Sequence, residues 1–209
     1  MKKILLLIIM LFLITGCSVV RIDTKSLDTI VSVVLSKDNT LFNRVGKGYK
    51  YYIPRSVTYI DTNELNDKLY SNGNYYYLYI DAIRYYYQTE IKYTESSEVY
   101  YSRKIDINGK HGYVEIKKNG DKYLIEFVYN YAKMISLVNK SDINDVILDA
   151  TYILSTIKFN NDVIRLMLDD DYFRYKEEKY DIFGSKQEAN NFLRYPDEIN
   201  ENNENNESE

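Results

Sequence analysis

Hydrophobic residues change their spacing along this chain, and each spacing predicts a different element. Ile4 to Ile14 is an unbroken apolar run behind Lys2 and Lys3. A positive start, an apolar core of about 7–15 residues and small residues such as Thr15 and Gly16 after it mark a secretory leader. Leu27, Ile30, Val31, Val34 and Leu35 then recur at i, i+3, i+4, i+7 and i+8, a helical stripe. Thr24 or Ser26 caps its start, and Lys37-Asp38-Asn39 ends it.

From Tyr49 the spacing drops to two. Tyr49 to Ile53 reads as a strand stopped by Pro54, which has no N–H for a ladder. Val57 to Ile60 is a short continuation, and Asp61 to Asp67 is polar loop. Asn-Gly pairs stand at 72–73, 108–109 and 119–120. Each predicts a two-residue hairpin turn, because both central positions need φ > 0. They separate Lys68–Ser71 from Tyr75 onward, Val99–Ile107 from Gly112–Lys117, and that strand from Lys122–Tyr131. Val99, Tyr101, Ile105 and Ile107 share one face, and Tyr123, Ile125, Phe127 and Tyr129 share another. One polar face per strand predicts an antiparallel meander covered on one side.

Helical spacing returns at 141–157. Ser141 is the expected N-cap, Ile143, Val146, Ile147, Ala150, Ile153, Leu154 and Ile157 form the stripe, and Asp149 falls on the polar face. A further helix covers 162–168, and the capping box Ser185-Lys186-Gln187-Glu188 starts one that runs to about Arg194. The tail from Asp197 has one apolar residue and cannot offset its ordering entropy. The expected organisation is therefore a signal peptide over 1–16, a tether over 17–23, one α+β domain over 24–196 with a helix-packed antiparallel sheet, and a disordered acidic tail over 197–209.

Composition narrows the chemistry. There is one cysteine, Cys17, and one histidine, His111, expected in the 108–109 turn. Neither a disulfide nor a Cys/His metal site follows from that count; a Ser-His-Asp device would have to use His111, and no G-x-S-x-G, P-loop or dinucleotide fingerprint is present. Asp169-Asp170-Asp171, with Glu177 and Glu178, lacks the spacing of a calcium loop. The expectation is no cofactor, no metal and no catalytic residue. The net charge of −4 becomes more negative once Lys2 and Lys3 leave with the leader. Nucleic acid is therefore not an expected partner, and the overall charge gives no attraction to anionic lipid.

Ile14-Thr15-Gly16-Cys17 resembles the lipobox of bacterial lipoproteins. That resemblance implies cleavage before Cys17, a diacylglyceryl group on its thiol, and a membrane-anchored, extracytoplasmic protein. The apolar run is shorter than the roughly 20 residues of a comfortable membrane-spanning helix, and two acyl chains suffice for stable attachment. The whole resembles the small lipoproteins of low-GC Gram-positive bacteria. Gly48-Tyr49-Lys50-Tyr51-Tyr52-Ile53-Pro54 and the stretch Ala150 to Phe159 resemble the Mog1/PsbP-type α/β sandwich. That likeness implies a non-enzymatic accessory, assembly or binding role. The chain departs from that pattern in continuing past Phe159, and in carrying Arg55-Ser56-Val57 where the family has a tryptophan.

Tyrosine is the compositional outlier, with 24 Tyr against 7 Phe and no Trp. A/T-rich codons account for part of that excess. Tyr75, Tyr77, Tyr79, Tyr85 and Tyr87 alternate along 74–87 and would line one strand face about 40 Å long, with a bend expected near Asp81. Exposed, they form an aromatic platform for a glycan, peptide or protein partner in the cell envelope. In the opposing reading both faces are covered, one by helix 141–157 and the other by helix 26–35. The expected function is a lipid-anchored, non-enzymatic binding or accessory module. The alternative is a cell-wall or glycan-processing enzyme with a carboxylate pair.

Overall fold

The computed structural model describes residues 26–63 and 65–169. Helix α1 (Leu27–Leu35) starts where Ser26 Oγ accepts the Thr29 amide, and Ile30, Val31, Val34 and Leu35 are buried as the stripe requires. Strands β1 (Arg44–Val45) and β2 (Tyr49–Tyr51) form a small hairpin, which the late strand β10 (Lys158–Phe159) joins. The main sheet holds β3 (Thr58–Asn63), β4 (Asn66–Ser71), β5 (Asn74–Ile80), β6 (Tyr101–Ile107), β7 (Lys110–Asn119), β8 (Lys122–Tyr129) and β9 (Ala132–Val138). Its order is β3-β4-β5-β9-β8-β7-β6, antiparallel throughout. A short helix α2 (Ala82–Tyr86) follows β5, α3 (Ile143–Ser155) follows β9, and α4 (Asn161–Asp169) follows β10. The result is the expected α+β domain. No described helix is long and apolar enough to cross a membrane. Cys17, the leader, the 185–194 helix and the tail lie outside the described residues.

The turns follow the Asn-Gly signal with one shift. Asn72-Gly73 and Asn108-Gly109 have positive φ at both central positions. At the third pair the register Asn119↔Lys122 makes Gly120-Asp121 the central dipeptide, with the positive φ at Gly120. A fourth turn, Asn130-Tyr131, has positive φ at both residues and cuts the expected 122–131 strand at Tyr129. A tyrosine there is costly. Tertiary contacts hold it: the Asp81 amide donates to Tyr131 O at 2.9 Å, and the Asn130 amide to His111 O at 3.0 Å. His111 itself is exposed on β7, 3.4 Å from Asp106 on β6.

α1 and α3 lie together on one face of the sheet. Ile143, Val146, Ile147, Ala150, Ile153 and Leu154 of α3 are all at most 2% exposed and pack on β8, β9 and α1. Arg103, on the same face of β6 as the buried Ile105, reaches Asp28 and Ser32 of α1. The expectation that helix 26–35 covers the opposite face is therefore corrected. α3 is also shorter than 141–157. Residues 140–142 form a 3₁₀ turn, Ser141 lies within it, and no side chain caps α3. Asp149 is half-buried rather than on a free polar face, and accepts from Ser56 at 3.1 Å and Tyr76 at 3.2 Å. The 61–67 segment is not a loop: β3 runs to Asn63 and β4 starts at Asn66.

Candidate functional site

Alternation along β5 sorts its tyrosines. Tyr76, Leu78 and Ile80 point to the helices and are fully buried, with the Tyr76 hydroxyl on Asp149 of α3. Tyr75, Tyr77 and Tyr79 therefore point to the other face. Tyr75 is 46% exposed, Tyr77 half-buried and Tyr79 buried at 5%. Across the ladder Tyr75 pairs with Tyr70 and Tyr77 with Lys68. The Tyr70 and Tyr75 rings stand 5.1 Å apart, and Lys68 Nζ lies 4.4 Å from the Tyr75 centroid.

The long tyrosine row breaks at Asp81. There β5 has ended, and the Asp81 carboxylate caps α2 by accepting the Arg84 amide at 2.8 Å. The bend falls where the sequence places it, but the chain beyond it is helical. Tyr85 stacks on Phe159 at 3.8 Å and borders a small core of Ala82, Ile164 and Met167. Tyr87 is 66% exposed, apart from the sheet. The five tyrosines thus divide: Tyr75 is exposed and paired with Tyr70, Tyr77 is half-buried, Tyr79 is buried, Tyr85 is a packed ring and Tyr87 is an exposed outlier.

Further along the same face, Glu115 of β7 and Glu126 of β8 are cross-strand partners. Glu115 is buried, bridged by Lys117 at 2.5 Å, and accepts from the Tyr93 hydroxyl at 3.0 Å. Tyr113 donates to Glu126, and the Tyr93 ring stacks on Tyr113 at 4.0 Å. Burial, then the Glu126 charge and hydrogen bond, push the Tyr113 phenol far above its ordinary range. Tyr93 is pushed up to about 12, mainly by burial. Alternation of Tyr113, Glu115 and Lys117 against Val114 and Ile116 places these groups on one face in the sequence itself.

A second buried carboxylate lies where the sequence suggested loop. Asp67 accepts from the Tyr51 hydroxyl at 2.5 Å, from Tyr49 at 3.4 Å and from Thr62. Arg44 sits 3.6 Å over the Tyr59 ring and donates to Thr62 at 3.1 Å. Burial, then the Asp67 charge, hold the Tyr49 and Tyr51 phenols far above their ordinary values. Three hydroxyl donors occupy this carboxylate, which suits a structural tie between the two sheets better than proton transfer. Among the described residues no group of three or more His, Cys, Asp or Glu could hold a metal.

No family model, curated protein or solved structure matches this chain.

Proposed function

We propose that this chain is a lipid-anchored extracytoplasmic binding module, held to the membrane through Cys17, that presents the face of its sheet away from α1 and α3 to a protein or glycan of the cell envelope. The observation that carries the reading is the Tyr70–Tyr75 pair: two rings in contact on that face, with Tyr75 46% exposed. Tyrosine gives large contact area at low rotamer cost, which is why it recurs at binding hot spots.

The enzymatic alternative needs two carboxylates open to substrate. Glu115 and Glu126 face each other, but Lys117, Tyr93 and Tyr113 occupy their oxygens. That favours a structural role for the pair.

The binding test uses the full chain as wild type and as Tyr70→Ser/Tyr75→Ser, on isolated cell walls and on membranes. Retention of the wild type and loss of the variant at unchanged Tm is the expected result. Equal retention of a folded variant would remove the proposal, and protease treatment of the walls separates a protein partner from a glycan.

A further inference from the structure

A cavity of about 480 Å³ opens between the β1–β2 turn, β10 and the start of α4. Lys47, Lys50 and Lys158 line it, with Val45, Phe159 and Val163 as apolar wall. Its volume falls in the range of small-molecule sites, roughly 300–1,000 Å³. None of its lining residues is acidic, in a chain whose acids outnumber its bases 31 to 27.

The charge arrangement is unusual for a resting surface. Lys50 and Lys158 are direct cross-strand partners in the β2–β10 ladder. Like charges placed directly opposite each other destabilise a sheet, and among the described residues neither has an ion-pair partner. Lys50 lies over the Phe42 ring at 4.1 Å, which orients it without neutralising it. The field reaches Lys110 as well: burial lowers that ammonium's pKa most, Asp38 opposes, and the Lys158 charge lowers it further.

The turn carrying Lys47 is fixed in place. The Gly46 amide donates to Tyr49 O at 2.9 Å, and the Asn160 amide to Gly48 O at 2.8 Å. A Cβ at Gly46 would stand 2.3 Å from the Tyr49 ring, so only glycine lets that ring close the turn. The α4 N-terminus adds no free donors of its own at Asp162 and Val163, because Asn160 Oδ1 already accepts both amides. The lysines carry the site.

We propose that this cleft binds a phosphate ester, its phosphate between Lys50 and Lys158 and its organic part against Val45, which shares their face of the small sheet. Each ammonium is a compact charge with three donors, suited to an anion with several equivalent oxygens. The cleft is larger than a bare phosphate requires, and its apolar wall needs something to cover it. The site is separate from the tyrosine face and stands or falls independently of it.

Calorimetry on the full chain in neutral detergent tests this, with glucose 6-phosphate as a soluble ester, short-chain phosphatidylglycerol below its micelle point as a lipid headgroup, and glucose as the neutral control. Binding of either phosphate probe but not of glucose is expected, and the tighter probe identifies the source. Lys50→Gln and Lys158→Gln should each weaken it by about tenfold, the loss of one charge-assisted contact. Lys158→Gln should also leave Tm equal or higher without ligand, since a like-charge pair is relieved. Lys158→Arg should retain binding. No binding of either phosphate probe, or equal binding by a folded Lys158→Gln protein, would overturn the proposal. So would a fall in Tm for Lys158→Gln, which would show that the pair is not repulsive.

Discussion

Buried phenols set how this protein responds to alkali. Tyr49, Tyr51, Tyr76, Tyr101 and Tyr113 are raised well above the ordinary value, and Tyr93 and Tyr129 up to about 12, with burial the largest cause in each. A raised folded pKa gives stability that is whole below the unfolded value of about 10 and is lost as pH climbs toward the folded value. Stability should therefore fall steeply above about pH 10, with phenolate absorbance rising together with loss of near-UV circular dichroism. Ionisation of all tyrosines with that signal retained would contradict these assignments. Asp149 makes a related point. Its place on α3 suggested a free polar side chain, yet Asp149→Ala would strip Tyr76 and Ser56 of their acceptor. The expected cost, read from chemical denaturation, is about 1–3 kcal/mol, the penalty for an unsatisfied buried group.

Among elements, α3 carries the core. Ile147→Ala or Leu154→Ala should cost about 2–5 kcal/mol in denaturant unfolding, since both side chains are fully buried. Losses below that range at both positions would mean that another element seals the sheet. Helices α1 and α3 were legible because their stripes run unbroken at helical spacing, and three of the six hairpins because an Asn-Gly pair marks their turn. Strand β9 was not, because the turn before it uses Asn130-Tyr131, and Tyr131 holds positive φ only through contacts made from distant segments. The 61–67 segment misled for a similar reason. Asp67 looks like loop by type, but Tyr49, Tyr51 and Thr62 supply donors that let it be buried. On β5, alternation sorted the side chains between the two faces up to Ile80, although Tyr79 is buried on the face away from α1 and α3. The break came when a local side-chain cap at Asp81 turned extended chain into helix.

At the scale of the whole molecule, the sheet has one face closed by α1 and α3 and one that carries the surface tyrosines. The lipid-anchored reading adds that this second face meets the envelope. Cys17→Ala should move the protein out of the membrane fraction, and an unchanged mass and distribution of the mature chain would exclude the anchor. The account as a whole is tested most directly by a membrane-impermeant tyrosine-labelling reagent, read peptide by peptide by mass spectrometry on purified protein and on intact cells. Tyr75 and Tyr87 are exposed, whereas Tyr51, Tyr76 and Tyr79 are buried. Purified protein should label at Tyr75 and Tyr87 and not at the other three. If the proposed location and partner are right, intact cells should still label at Tyr87 and should show Tyr75 protected. Labelling of Tyr87 only after lysis would contradict the location, and equal labelling of Tyr75 in cells and in purified protein would contradict the tyrosine face as the binding surface.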